Sequence, residues 1–207
     1  MEQLDYLKIN THSSPDKAIV FIHGWKGNKD SFKTLPRILN IKKASWFFPQ
    51  APYELENNGS YSWSYQNKQG EWEENETKFL LKKFIKEKVL SLFNEKKIFF
   101  IGFSQGATVC YEFILSLNYT WGGVFPVAGF FRDFKEGIRL SSMQTSTPIL
   151  IGHGMTDNIV PIEASENSYK FLKDNNCNVS FMKYKGGHKI SLDYLKRVNG
   201  IIDGSIR

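Results

Sequence analysis

The sequence predicts an α/β protein in which helices flank both faces of a doubly wound, mostly parallel β-sheet of about seven strands. Short apolar segments alternate along the chain with longer amphipathic segments, as expected for repeated strand–helix–strand units. Most of the short segments are apolar at consecutive positions, which is typical of parallel strands buried on both faces. The 207 residues suit one compact domain, so we expect residues 1–207 to form a single unit.

The strands are predicted from runs rich in Val, Ile and Phe. Six such runs indicate strands of the parallel sheet, at residues 18–23, 44–48, 98–103, 124–128, 149–152 and 179–183. A seventh run, at residues 4–9, alternates weakly between apolar and polar positions and is predicted to be an antiparallel edge strand.

The helices are predicted from apolar residues at helical spacing with Lys and Glu on the opposite face. This pattern indicates four helices, at residues 75–93, 105–117, 163–175 and 191–202. Residues 51–73 contain several aromatic side chains but show no period. A loop of this length inside a compact domain is usually functional, so we expect it to act as a lid or a binding loop.

Composition excludes several classes of function. The net charge is +6, but the lysines are scattered and form no run, which favours a solvated surface over a nucleic-acid site. The two cysteines have neither metal nor redox spacing, and we expect no metal and no cofactor. The chain has no apolar run long enough to span a membrane and no signal-peptide pattern, so we expect a cytoplasmic protein without stable membrane insertion. The oligomeric state stays open.

The strongest chemical signal is the pentapeptide GFSQG at residues 102–106. It follows a predicted strand and precedes a predicted helix, which is the context of a nucleophile elbow. The serine of such a sharp turn adopts a strained backbone conformation. A Cβ atom at position 102 or 106 would collide with the neighbouring backbone, which explains both glycines. We therefore predict that Ser104 is a nucleophile.

A serine hydroxyl needs a general base, and four histidines are available. His12 is predicted to be a surface residue, while His23 and His153 end apolar strands and are candidates for structural roles. In doubly wound hydrolases the catalytic groups follow the chain order serine, acid, histidine. Only His188, which follows two glycines after the last strand, leaves room for an acid at a strand end after Ser104. We predict that His188 is the base.

The acid is predicted to be Asp157, in the loop that follows the strand at residues 149–152. Its carboxylate would accept the Nδ1 proton of the histidine and stabilise the imidazolium that forms. Asp174 and Asp193 fall within predicted helices and are expected to be solvated. Asp133, which follows another predicted strand, is the alternative acid.

Two backbone amides should stabilise the negative charge that develops on the substrate oxygen. The amide of Gln105 follows the nucleophile at a helix N-terminus, where the helix dipole also favours an anion. The second amide should come from the loop HGWKG at residues 23–27, and we assign it to Trp25. Gly24 and Gly27 would let this loop turn tightly.

The order of the motifs is more informative than any one of them. HGWKG, GFSQG, HGMTD and GGH each follow a predicted strand, at the edge of the sheet where open α/β proteins bind ligands. Together they predict an α/β-hydrolase fold and a serine hydrolase that uses Ser104, Asp157 and His188.

Six segments carry a resemblance to a known family, in the expected order: FIHGWKGN (21–28), FPQAPY (48–53), SWSY (62–65), GFSQGA (102–107), GHGMTDNIVP (152–161) and YKGGH (184–188). With these segments the chain resembles the phospholipase/carboxylesterase branch of the α/β hydrolases, which includes acyl-protein thioesterases and small bacterial carboxylesterases. The resemblance implies metal-independent hydrolysis of small-molecule carboxylic esters or thioesters through an acyl-enzyme, with Trp25 and Gln105 supplying the oxyanion amides. Ala107 stands where the family often has a second glycine.

The acyl pocket is harder to predict. Aromatic residues of the 51–73 segment could form its wall or could only pack this segment onto the core: Tyr61, Trp63, Tyr65 and Trp72. Phe131, after the strand at 124–128, is a further pocket candidate.

Two alternative functions remain open at this point. A long-chain acyl thioesterase or lysophospholipase would need a deep apolar pocket. A noncatalytic binding protein on a hydrolase scaffold would be expected to lack one of the three catalytic groups, all of which are present here.

Overall fold

The central feature of the fold is a seven-stranded β-sheet. The computed structural model describes residues 3–56, 58–132 and 139–206. The strands of the sheet are β1 (Tyr6–Asn10), β2 (Lys17–Ile22), β3 (Ala44–Pro49), β4 (Ile98–Phe103), β5 (Gly123–Val127), β6 (Ile149–Gly154) and β7 (Val179–Tyr184). They lie in the order β1-β3-β2-β4-β5-β6-β7, and all neighbours are parallel except β1, which pairs antiparallel with β3. The predicted mostly parallel sheet and its antiparallel edge strand are confirmed.

Helices cover both faces of this sheet. The α-helices are α1 (Leu35–Leu39), α2 (Asn75–Phe84), α3 (Gln105–Glu112), α4 (Ile162–Asp174) and α5 (Leu192–Asp203). Buried side chains of α2, α3 and α4 share one core with alternate strand residues such as Val20. Buried side chains of α1 and α5 share a second core with the strand residues between them, such as Ile19. Because each strand contributes side chains to both cores, its residues are apolar at consecutive positions. The doubly wound arrangement is confirmed.

Two predicted helices are longer than the α-helices of the structure. The segment predicted at 75–93 contains α2, which continues as a π-helix at Ile85–Val89. The segment predicted at 105–117 contains α3, followed by a 3₁₀ helix at Ile114–Ser116. Apolar residues recur three or four positions apart in all of these helix types, so their spacing does not distinguish one from another. Further 3₁₀ helices lie at Glu95–Lys97 and Ser142–Thr145.

The segment at 51–73 is more ordered than its lack of period predicted. Tyr53–Leu55 pairs with Ser60–Ser62, and Tyr65–Gln66 pairs with Trp72–Glu73, forming two small antiparallel hairpins. Strands of two or three residues are too short to show alternation. The helix α1, with five residues, is likewise too short to show a helical period and was not predicted. A bridge between Gly27 and Tyr61 ties the first hairpin to the loop after β2.

The strand order creates a crevice at one edge of the sheet. The neighbours β2 and β4 lead to opposite sides, because the chain after β2 moves to β3 whereas the chain after β4 moves to β5. In open α/β sheets such a switch point, at the carboxyl ends of the strands, is where ligands bind. The loops that carry the four sequence motifs leave the sheet at this edge.

Candidate active site

Ser104 occupies a sharp turn between β4 and α3. Its backbone has φ 55° and ψ −117°, a conformation that costs a residue with a Cβ atom on the order of 1–3 kcal/mol. A Cβ atom added at Gly102 would lie 2.4 Å from the carbonyl oxygen of Gly106, and one added at Gly106 would lie 2.1 Å from that of Ile22. The amide of Ser104 donates to the carbonyl of Val127 at 2.8 Å, which ties the turn to β5. The turn is therefore held by the sheet around it.

His188 lies between Ser104 and Asp157 and is hydrogen-bonded to both. Its Nε2 atom is 2.9 Å from the Oγ atom of Ser104, and its Nδ1 atom is 2.7 Å from Oδ2 of Asp157. An ionised carboxylate only accepts hydrogen bonds, so Nδ1 carries the proton and Nε2 is left to accept from the serine hydroxyl. The ring of Phe103 packs at 4.9 Å from the imidazole, between ring centres.

Asp157 has the environment of a carboxylate that stays ionised. Its side chain is fully buried, and its Oδ1 atom accepts from the amides of Ile159 at 2.9 Å and Val160 at 3.0 Å. Burial alone would raise the pKa of Asp157, but the hydrogen bonds from Val160, His188 and Ile159 lower it below its ordinary value. The carboxylate is therefore charged and fixed in orientation at neutral pH.

The competing acids do not approach this cluster where the structure describes them. Asp174 is exposed at the end of α4, and Asp193 is exposed in the first turn of α5. Asp133, the alternative acid, lies outside the described residues.

A second histidine supports the loop that carries Asp157. His153 is fully buried; its Nε2 atom lies 2.9 Å from the carbonyl oxygen of Val160 and 3.4 Å from Oδ2 of Asp157. Its Nδ1 atom lies 2.7 Å from the hydroxyl of Ser165 on α4. His153 therefore fastens the aspartate loop to α4, in keeping with the structural role expected for it.

The loop after β2 lies directly against the nucleophile. A Cβ atom added at Gly24 would lie 3.2 Å from Cβ of Ser104, and the Gly27 amide donates to the Gly24 carbonyl at 3.0 Å to close a tight turn. Among the described residues, the backbone amides of Trp25 and Gln105 donate no hydrogen bond, which leaves both free for an incoming oxygen. The Trp25 side chain is 60% exposed.

The side chain of Gln105 has a second task. Its Oε1 atom accepts from the amide of Trp63 at 3.1 Å, and its Nε2 atom donates to the hydroxyl of Ser64 at 3.1 Å. These bonds connect the first residue of α3 to the segment between the two hairpins. The aromatic segment and the nucleophile turn are thus linked through one glutamine.

His23 fixes the loop after β2 through hydrogen bonds at both of its ring nitrogens. The Nδ1 atom of His23 donates to the carbonyl of Gly24 at 2.8 Å. The Nε2 atom of the same ring accepts from the amide of Ala51 at 3.1 Å. The neutral imidazole satisfies both bonds. Burial lowers the pKa of His23 from 6.5 to about 4, because the charged imidazolium would lose its hydration in this buried position.

This depressed pKa predicts a pH dependence of stability. Between about pH 6.5 and pH 4 the unfolded chain binds a proton at position 23 and the folded chain does not, so stability falls as the pH falls. We expect His23 to contribute a loss of up to about 3 kcal/mol in the free energy of unfolding over this window. Urea unfolding at several pH values should show a smaller loss for His23→Gln. The variant His12→Gln, at an exposed histidine, should keep the wild-type slope, and equal slopes for wild type and His23→Gln would contradict the prediction.

A cavity of about 190 Å³ opens beside Ser104. Of the aromatic residues predicted for the pocket, Trp63 and Trp72 line it, the former buried and the latter 58% exposed. The other three lie outside this cavity: Tyr61, Tyr65 and Phe131. Tyr61 joins the loop after β2 through its backbone, Tyr65 packs against Tyr53, and Phe131 packs in the core against Tyr111.

The wall of this cavity contains a charged cluster that was not predicted from the sequence. Arg132, together with Glu74, lines the cavity, and Glu112 on α3 pairs with Arg132 from behind. We call these three residues the Arg132 cluster. They come from separate segments of the chain, so no local pattern could have grouped them.

The described residues contain no group of three or more His, Cys, Asp or Glu side chains arranged to hold a metal ion. Within the same residues, no helix combines the length and the apolar character that crossing a membrane requires.

Comparison with known proteins places the chain in a family. Its sequence matches the phospholipase/carboxylesterase family profile over residues 5–206. This chain belongs to the phospholipase/carboxylesterase family. Membership confirms the resemblance predicted from the six motifs, the α/β-hydrolase fold, and the enzyme class, a serine hydrolase of the carboxylesterase and thioesterase type.

Individual proteins are similar to this chain over most of its length. The acyl-protein thioesterase 1 of Debaryomyces hansenii is 28% identical, over 97% of this chain and 97% of its own length. The crystal structure of SOBER1 from Arabidopsis thaliana, named a carboxylesterase, matches with a TM-score of 0.78 at 26% identity, over 91% of this chain and 98% of that one. The crystal structure of esterase PE8 has a TM-score of 0.82 at 19% identity and supports the fold.

Proposed function

We propose that this chain hydrolyses small-molecule carboxylic esters or thioesters through an acyl-enzyme formed on Ser104. The observation that carries the proposal is His188, whose two ring nitrogens are hydrogen-bonded at once to Ser104 and to Asp157. A hydroxyl, an imidazole and a buried carboxylate in this order can generate a nucleophile at neutral pH. The names of the relatives, thioesterase and carboxylesterase, support a thioester or an oxygen ester as the substrate.

The proposed reaction begins when His188 Nε2 removes the proton of Ser104 Oγ. The oxygen forms a bond to the acyl carbon, and the carbonyl electrons move onto the substrate oxygen, which the amides of Trp25 and Gln105 stabilise. When the intermediate collapses, His188 gives the proton to the leaving alcohol or thiol, and the acyl group stays on Ser104. Water then repeats the attack, with His188 again as base and acid, and releases the carboxylic acid.

Asp157 orients the base and compensates its charge in both half-reactions. Its Oδ2 atom accepts the hydrogen bond from Nδ1–H of His188, which keeps Nε2 available to Ser104. The negative charge of the carboxylate stabilises the imidazolium. The two oxyanion amides contribute through geometry that exists before the substrate arrives. Each such donor is worth on the order of 10²–10³ in kcat.

A covalent label tests the proposal without knowledge of the natural substrate. An alkyl fluorophosphonate should react with the activated serine, lose fluoride, and add one phosphonyl group to the protein. Intact-mass spectrometry should show one label per chain, and peptide mapping should locate it on Ser104. The Ser104→Ala variant should stay unlabelled, whereas Ser91→Ala, which removes an exposed hydroxyl that donates to the Glu87 carbonyl, should be labelled like wild type. A label on another residue would overturn the assignment.

The remaining expectations stay predictions. They are a single domain over residues 1–207, a cytoplasmic location, and the absence of nucleic-acid partners.

A further inference from the structure

The Arg132 cluster is built into the wall of the cavity beside Ser104. The amide of Arg132 donates to Oε1 of Glu112 at 2.7 Å, and its Nε atom donates to Oε2 at 2.9 Å. Its Nη2 atom contacts the carboxylates of both Glu112 and Glu74. The three side chains are only 18–26% exposed. The guanidinium is therefore fixed in place, unlike that of an ordinary surface arginine.

Part of the hydrogen-bonding capacity of Arg132 and Glu74 is unused within the part of the chain that the structure describes. Among the described residues, Nη1 of Arg132 has a single long contact, 3.5 Å to the hydroxyl of Ser64, which itself lines the cavity. Glu74 accepts from Arg132 and Lys78, but each carboxylate oxygen has a second lone pair. Burial would raise the pKa of Glu74, yet Lys78 and Arg132 keep it below its ordinary value, so it is ionised. A strong donor and a strong acceptor thus lie side by side.

The charges of this pair discriminate between acyl groups. An alkyl chain laid against Arg132 and Glu74 would strip water from both and return no hydrogen bond. A terminal carboxylate would be attracted by the guanidinium but repelled by the carboxylates of Glu74 and Glu112. A hydroxyl group can accept from Arg132 and donate to Glu74 at once. The wall also contains apolar side chains, among them Trp63 and Val109, which suit the carbons between such a hydroxyl and the ester.

We propose that Arg132 and Glu74 form a subsite for a hydroxyl group on the acyl chain, so that esters or thioesters of short hydroxy acids are the preferred substrates. This inference rests on the proposed hydrolase function. The acyl carbon would lie at Ser104 and the hydroxyl at the Arg132 cluster, both within one cavity of about 190 Å³. A hydrogen bond to a charged group should favour the hydroxy acid by about tenfold in kcat/KM.

A set of matched esters tests the subsite. Ethyl hexanoate would be compared with its 3-, 4-, 5- and 6-hydroxy derivatives, with monoethyl adipate and with ethyl decanoate, using pH-stat titration and enzyme-free blanks. We expect one hydroxy position to exceed ethyl hexanoate by about tenfold in kcat/KM. Monoethyl adipate and ethyl decanoate should both be poorer than that hydroxy ester.

Variants identify the groups responsible. Arg132→Met should abolish the preference while ethyl hexanoate is still hydrolysed, and Arg132→Met/Glu112→Gln, which preserves the net charge, covers the case in which the single variant does not fold. The control is Lys78→Met, which removes a partner of Glu74 outside the cavity and should keep the preference.

The outcomes separate the two proposals. Hydrolysis without a preference for any hydroxy ester, a preference for monoethyl adipate, or a preference that survives the loss of Arg132 would each overturn the subsite and leave the hydrolase proposal standing. No hydrolysis of any ester by the wild type would overturn both.

Discussion

Replacing Ser104 by alanine is expected to lower kcat for p-nitrophenyl butyrate by about 10⁵- to 10⁶-fold. The hydroxyl of Ser104 is the only one that the structure places within 2.9 Å of His188 Nε2 among the described residues, so no other group can take its place. The measurement is the initial rate at saturating ester. The melting temperature, measured in parallel, should change little because the substitution removes one partly exposed oxygen atom.

The same experiment has a stricter form. Because Ser104 and His188 act as one unit in the proposed mechanism, His188→Ala should be about as slow as Ser104→Ala, and the double variant should be no slower than either. Additive losses would show that the two residues work independently. A rate within tenfold of wild type for either single variant would contradict the acyl-enzyme mechanism. His12→Ala, at an exposed histidine hydrogen-bonded to Ser14, serves as the matched control.

The sequence was sufficient for those parts of the site that each depend on a local motif. The serine and the two glycines of GFSQG predict a strained turn. The structure shows why, because backbone atoms fill the space beside Gly102 and Gly106. The order of Ser104, Asp157 and His188 could be predicted because parallel strands present their following loops at one edge of the sheet. Local pattern and topology together were enough to predict that Ser104 and His188, which are 84 positions apart, lie close to each other.

The cavity wall could not be predicted in this way. Arg132 pairs with Glu112 and Glu74, which are 20 and 58 positions away, and each of the three looks like an ordinary surface charge in the sequence. Only the fold brings together the residue between the second hairpin and α2, the last residue of α3 and the segment after β5. Phe131, a pocket candidate in the sequence, packs in the core at 4.8 Å from Tyr111, between ring centres. Aromatic side chains serve cores and pockets equally well, so composition does not decide between the two.

Asp157→Asn should test the role of the acid with almost no change in shape. Oδ1 of Asp157 accepts from two backbone amides, those of Ile159 and Val160, so the oxygen of an asparagine must take this position. Its NH₂ group then faces His188, where Oδ2 now accepts the Nδ1 proton. The imidazole is forced to accept at Nδ1 and to carry its proton on Nε2, and it can no longer accept from Ser104.

We therefore expect Asp157→Asn to lower kcat for p-nitrophenyl butyrate by about 10⁴-fold, through the wrong tautomer and the loss of charge. KM should change little, because Asp157 is buried behind the histidine and does not line the cavity. Asp193→Asn, at an exposed carboxylate on α5, should leave both constants unchanged. A kcat for Asp157→Asn within tenfold of wild type would mean that another group orients His188. Asp133, the alternative acid, would then be the next residue to replace, because the Ser104–His188 pair needs a carboxylate from some part of the chain.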